Sequence, residues 1–126
     1  MKDVTELQIY KRAMDLLPRI YELVNQLPRN EFELKSQVCN SAKAISAQIT
    51  EGFAKKNSQN EFKRFLYMAL GSSDETITHL WQIRILNFSN VNCGNCDALI
   101  EEYKVESKQI NSLIQKRHSS TILSQS

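Results

Sequence analysis

Cys93-Gly94-Asn95-Cys96 is the sharpest chemical signature in this 126-residue chain. Two thiols at the start of a helix would feel its dipole, which lowers a thiol pKa as redox chemistry requires. Disulfide oxidoreductases place that motif after a strand of a βαβ unit, and no such alternation surrounds it here. As half of a zinc site it lacks a second half, because Cys39, His79 and His118 have no metal-type spacing. Ser72, Ser73, Asp74 and His79 have the residue types of a hydrolytic triad. On a helix, however, Ser72 and His79 stand roughly 10 Å apart at ~1.5 Å per residue, beyond a hydrogen bond. Asp74, Glu75 and His79 read instead as a solvated helix face. Glu101, Glu102 and Glu106 could suggest a metal, but adjacent helical residues point apart and Lys104 and Lys108 offer compensating pairs, so these acids read as exposed surface. Gly52, Gly71 and Gly94 are isolated and form no phosphate-cradling loop. No catalytic residue, metal or cofactor is expected.

What remains is charge. Lys55, Lys56, Lys63 and Arg64 against Glu61 give a local +3 around one connection, at a helix N-terminus whose field favours phosphate. Lys11, Arg12 and Arg19 of the first helix can extend the patch. The whole chain carries only +2, too mild to mark a nucleic-acid binder by itself. A basic surface must therefore come from clustering or from assembly of several copies.

The elements that position these residues follow from composition. Leu, Ile, Val and Phe total 34 residues, enough for a real core. Gly 3 and Pro 2 leave too few turn residues for a sandwich, barrel or doubly wound sheet. Few, long helices follow. Apolar residues at Leu7, Tyr10, Met14, Leu17, Tyr21 and Val24 keep the spacing of a bundle seam, and a second row interleaves with them: Ile9, Ala13, Leu16, Ile20, Leu23 and Leu27. One row suffices for a bundle, so the second points to a further contact, either another helix of the same chain or another subunit, with Ile9, Leu16, Ile20 and Leu23 the expected oligomer interface. Pro18 should kink this helix and Pro28 end it.

A second helix carries Leu34, Val38, Ala42, Ile45, Ile49 and Phe53 inward, among small residues that admit a close partner. Ser58-Gln59-Asn60-Glu61 reads as a capping box in which Glu61 reaches back to the cap nitrogen. The helix after it carries Phe62, Phe65, Leu66, Ala69, Ser73, Ile77, Leu80 and Trp81. The last repeats the seam at Cys96, Leu99, Tyr103, Ser107, Ile110 and Ile114. Helices near 5–27, 31–54, 58–87 and 93–117 predict an all-α, up-down-up-down antiparallel four-helix bundle over 1–118, with 119–126 a flexible tail.

Gln48-Ile49-Thr50-Glu51-Gly52-Phe53-Ala54-Lys55-Lys56-Asn57-Ser58, followed by Glu61-Phe62-Lys63-Arg64-Phe65-Leu66-Tyr67-Met68-Ala69-Leu70-Gly71-Ser72, resembles the four-helix-bundle family encoded in intervening sequences of bacterial 23S ribosomal RNA genes. Leu7, Tyr10-Lys11-Arg12-Ala13 and Leu27-Pro28 are similar to its opening segment. The chain departs from the family pattern at Cys39-Asn40, where an arginine pair is expected, and at Ser46 and Gln48, where Pro and Asn are usual. The resemblance implies a homopentameric bundle linked to ribosomal RNA. It also implies a fold similar to the accessory variability determinant of diversity-generating retroelements, which binds nucleic acid and a reverse transcriptase.

The sequence thus points to a non-enzymatic, homo-oligomeric bundle that holds structured RNA through Lys55, Lys56, Lys63, Arg64, Lys11 and Arg12. The alternative is a protein-interaction subunit, for example an accessory of a reverse transcriptase. Acids in Met1-Lys2-Asp3-Val4-Thr5-Glu6 sit where a secretion signal would be apolar, and the three cysteines are an odd, sparse set. A cytoplasmic protein with no membrane partner is expected.

Overall fold

A computed structural model describes residues 4–125, with side chains from 5 to 117. It contains four helices: α1 (Val4–Val24), α2 (Phe32–Ala54), α3 (Gln59–Leu86) and α4 (Cys93–Gln125). Each has a local reason to stop or start. Beyond Val24 the backbone tightens, with Gln26 N bonded to Leu23 O and Leu27 N to Val24 O, and Pro28 cannot continue a helix. Ser58 Oγ accepts from Glu61 N at 3.3 Å and caps α3. The second half of the expected box is not made. Ser58 N already donates to Lys55 O, and the Glu61 carboxylate is taken by Arg64 at 3.0 Å. Asn87 ends α3 at φ 54°, its N–H on Ile83 O, a left-handed position that Asn tolerates. Asn92 Oδ1 accepts from Asn95 N at 2.9 Å and starts α4.

α1 stays helical through Pro18, which is exposed, as is Met14, whose carbonyl loses the proline's N–H. α4 runs on to Gln125, past the expected end at 117. The side chains of the expected tail lie outside the described residues.

α1 packs on α2 and α4, and α3 packs on α2 and α4, while the diagonal pairs stay apart. The course is antiparallel. Lys56 after α2 reaches Glu6 near the start of α1, and Gln59 at the start of α3 reaches Arg117 in α4. At the opposite end, Gln26 Oε1 accepts from Asn92 N at 2.8 Å.

The core reverses the expected roles of the two α1 rows. Ile9, Ala13, Leu16, Ile20 and Leu23 are buried inside the bundle, so Ile9, Leu16, Ile20 and Leu23 cannot face another subunit while the bundle is closed. Of the tyrosine-bearing row, Leu7, Met14 and Tyr21 are 54%, 44% and 41% exposed, while Tyr10 and Leu17 pack partly buried against the core and Val24 is buried. The physical reason is composition: the purely aliphatic row takes the closed interior, and the row with polar hydroxyls keeps water. Trp81 is likewise on the surface.

At mid-height the core becomes polar and narrow. The Thr76 hydroxyl lies 2.8 Å from both Ser41 Oγ and the Ser72 carbonyl. Ser107 Oγ lies 2.8 Å from Ser73 Oγ and from Asp74 Oδ1. Small side chains let α3 approach both α2 and α4 here, and their hydroxyls satisfy one another.

Candidate nucleic-acid interface

The end that gathers the start of α1, the end of α2, the start of α3 and the latter part of α4 is built around phenylalanines. Gly52 makes the close α2 to α3 approach possible: a Cβ there would stand 3.2 Å from Phe65 Cβ and 3.6 Å from Phe62 O. Phe53 and Phe62 meet edge to face, centroids 5.3 Å apart at 64°. The cations rest on these rings. Lys55 Nζ is 4.7 Å and Arg64 Cζ 4.5 Å from the Phe65 centroid. Lys56 Nζ is 5.5 Å from that of Phe53, and Arg117 Cζ 4.6 Å from that of Phe62. Such seats restrain long side chains while leaving their charge at the surface.

Glu6 stands beneath them, 1% exposed. Its Oε1 accepts from Lys56 Nζ at 3.1 Å and from Arg117 Nη2 at 3.0 Å, and its Oε2 from Lys56 at 3.1 Å. One carboxylate thereby ties α1 to α4 and to the α2 to α3 connection through Lys56 and Arg117. Lys55 faces Glu51 at 3.7 Å, an exposed pair of little energetic weight. The Arg64 hydrogen bond holds the Glu61 carboxyl below its ordinary value.

Of the six expected basic residues, Lys55, Lys56, Lys63 and Arg64 share this end. Lys11 and Arg12 line a groove of about 390 Å³ between α1 and α4, with Gln8, Asp15, Leu16, Arg19 and Glu102. Arg12 is turned inward, its Nη1 3.2 Å from Glu106 Oε1 and 2.6 Å from Gln109 Oε1. Neither Glu6 nor Lys116 and Arg117 was among the expected site residues. Their role depends on the antiparallel course, which gathers residues 4–12, 49–66 and 110–117. Those segments carry eight Lys and Arg against three Glu, +5, whereas 13–48 and 67–109 carry seven against ten acids, −3. The mild overall charge conceals a polarised molecule.

Two other expectations are corrected by burial, and burial also marks Cys96. Glu106 is not exposed surface but fully buried, and desolvation raises its pKa from 4.5 to about 7 against the opposing pull of Arg12. His79 is 8% exposed rather than solvated, with Nδ1 2.9 Å from Gln82 Oε1. Cys96 is buried, donates to Leu80 O at 3.3 Å, and is pushed up to about 11 by burial. Burial thus keeps the Cys96 thiol protonated. Among the described residues no helix is long and apolar enough to cross a membrane.

Fold and surface together define a small antiparallel four-helix-bundle protein with one strongly basic end. The chain belongs to the 23S rRNA-intervening sequence protein family, whose model matches residues 5–112. Among solved structures it is similar to a protein of unknown function from the S23 ribosomal protein family of Bacteroides thetaiotaomicron. The two share 21% identity and a TM-score of 0.74, over 84% of this chain and 97% of that one. That likeness bears on the fold alone. No curated protein matches the chain significantly.

Proposed function

We propose that this protein is a non-enzymatic, homo-oligomeric bundle that binds structured RNA by its phosphates at the basic end. The observation that carries the reading is the gathering of six Lys and Arg at this end against Glu6, Glu51 and Glu61, with Lys55, Arg64 and Arg117 seated on phenylalanine rings. Lys55, Lys56, Lys63 and Arg64 contribute there, joined by Lys116 and Arg117, and Lys11 extends the surface along α1. Fixed cations without base-reading loops suit recognition of backbone shape rather than sequence. The family's link by name to 23S rRNA makes a ribosomal RNA hairpin the natural probe.

Assembly is supported by the outward row Leu7, Met14 and Tyr21 on α1, and by Tyr67, Trp81 and Ile85 on α3, all more than two-fifths exposed. Two apolar faces on one small protein fit contacts between copies, in which one face of a copy meets the other face of the next. Met14→Lys is expected to lower the mass measured in solution; an unchanged mass would remove this row from the interface.

The test of RNA binding is a salt series with a labelled ribosomal RNA hairpin. Phosphate contacts give a slope of log affinity against log salt that reports their number. A steep slope, flattened by Lys55→Glu with Lys63→Glu while helicity is retained, is the expected result. Absence of binding at low salt would overturn the reading and favour a protein partner on the apolar faces.

A further inference from the structure

Arg12 belongs to the basic surface by sequence, yet the fold gives it to an acid. Glu106 is fully buried, and Arg12 grips it unevenly. A single nitrogen, Nη1, serves both Glu106 Oε1 and Gln109 Oε1, while Glu106 Oε2 has no hydrogen-bond partner. A buried carboxylate with one oxygen unanswered is poorly compensated as an anion. Adding a proton removes that deficit and, in the same event, removes the charge that draws Arg12 inward. Arg12 is 22% exposed and lines the α1 to α4 groove with Lys11 and Arg19 and the acids Asp15 and Glu102, so it can turn outward without unfolding the helix.

We propose that Glu106 is a proton-operated latch on Arg12: when the carboxyl is protonated, the guanidinium is released into the α1 to α4 groove and joins Lys11 and Arg19 as a further phosphate contact. The proposal rests on the RNA-binding reading and adds regulation to the same surface. Its setting is well defined. Arg12 and Arg19 belong to α1. On α4, Tyr103 is raised by burial and then by Glu106, with Arg19 opposing and Cys39 of α2 adding to the shift. From α3, Asp74 is occupied by the Ser107 hydroxyl at 2.8 Å. Arg12 is the one cation that hydrogen-bonds Glu106 among the described residues, so the proton and the guanidinium compete for the same carboxylate. Desolvation places that competition near neutral pH.

Two readouts test this, one of them independent of RNA. In the free protein, the Arg12 side-chain nitrogen resonances are expected to titrate between about pH 5.5 and 8.5 in the wild type and to stay flat in Glu106→Gln. A flat wild-type response, or one that persists in Glu106→Gln, overturns the latch. With the ribosomal RNA hairpin in ~0.1 M salt, one additional phosphate contact corresponds to an affinity gain of about fivefold from pH 8 to pH 6. Glu106→Gln should bind at pH 8 as tightly as the wild type at pH 6, and Arg12→Gln should lose the pH-dependent gain. Equal pH dependence in all three proteins overturns the proposal. If the hairpin binds at neither pH, the RNA reading fails, while the resonance titration still decides whether Glu106 controls Arg12.

Discussion

Two glutamates buried in the same bundle, Glu6 and Glu106, differ in how completely their charge is answered. Glu6 at the basic end has both oxygens occupied, by Lys56 and Arg117, and those cations also rest on aromatic faces. Glu106 in the middle of α4 has one oxygen held by Arg12 and the other unpartnered. The first is a clasp between elements. The second is a charge the fold tolerates only in part, and it responds to pH for that reason.

The largest expected effect falls on the ring that supports the clasp. Phe62 is fully buried, touches Phe53 and carries Arg117. Phe62→Ala should cost about 3–5 kcal/mol in urea unfolding, the usual cost of emptying an aromatic core site, and should weaken RNA binding through the loosened Arg117. If stability fell while the salt slope stayed at the wild-type value, the rings would hold the core but not the binding surface.

Next in size is the removal of the unanswered charge. Raising the pKa of Glu106 from 4.5 to about 7 means that the folded state holds a proton which the unfolded chain has already lost. Stability from this group therefore falls as pH rises from about 4.5 to 7 and is level above, a loss of about 3 kcal/mol in total. Glu106→Gln mimics the protonated form. It should raise stability at pH 8 by up to that amount and remove the decline across the window, as followed by urea melts at several pH values. Glu6→Gln should do the reverse. With two cations left facing a neutral amide, a loss of about 2 kcal/mol is expected, measured by thermal unfolding at pH 8. A loss in both variants would mean that the two carboxylates are equally well compensated.

Both glutamates were legible as buried positions, though their residue type hid them. Glu6 continues the row Ile9, Ala13, Leu16 and Ile20 backward by one helical step, and Glu106 sits between Tyr103 and Ile110 on the α4 seam. Read by residue type, Glu106 joins the exposed Glu101 and the half-buried Glu102; read by register, it belongs to the core. Their counterions were not legible, because Lys56, Arg117 and Arg12 lie on other elements and only the antiparallel course brings them near. The four helices themselves came from periodicity, the Ser58 cap and the scarcity of Gly and Pro. The choice between the two α1 rows did not, because periodicity gives both the same spacing and only the polarity of Tyr10 and Tyr21 tells them apart.

The smallest effects separate the basic end from the outer face of α3 at the level of single glycines. Gly52 and Gly71 both sit inside helices, where Gly costs about 1 kcal/mol against Ala. A Cβ at Gly52 meets the Phe65 Cβ at 3.2 Å, so the α3 backbone must give way, whereas at Gly71 nothing lies within 4 Å. Gly71→Ala should therefore gain close to 1 kcal/mol in the isolated chain, while Gly52→Ala should lose that gain to the clash and end below the wild type. Thermal melts at low protein concentration read both. The same pair at high concentration sharpens the assembly proposal. If a neighbouring copy packs on α3 beside Tyr67 and Trp81, the gain from Gly71→Ala should shrink as oligomers form, because the added methyl group then meets a partner's surface. A gain that does not depend on concentration would place the interface elsewhere.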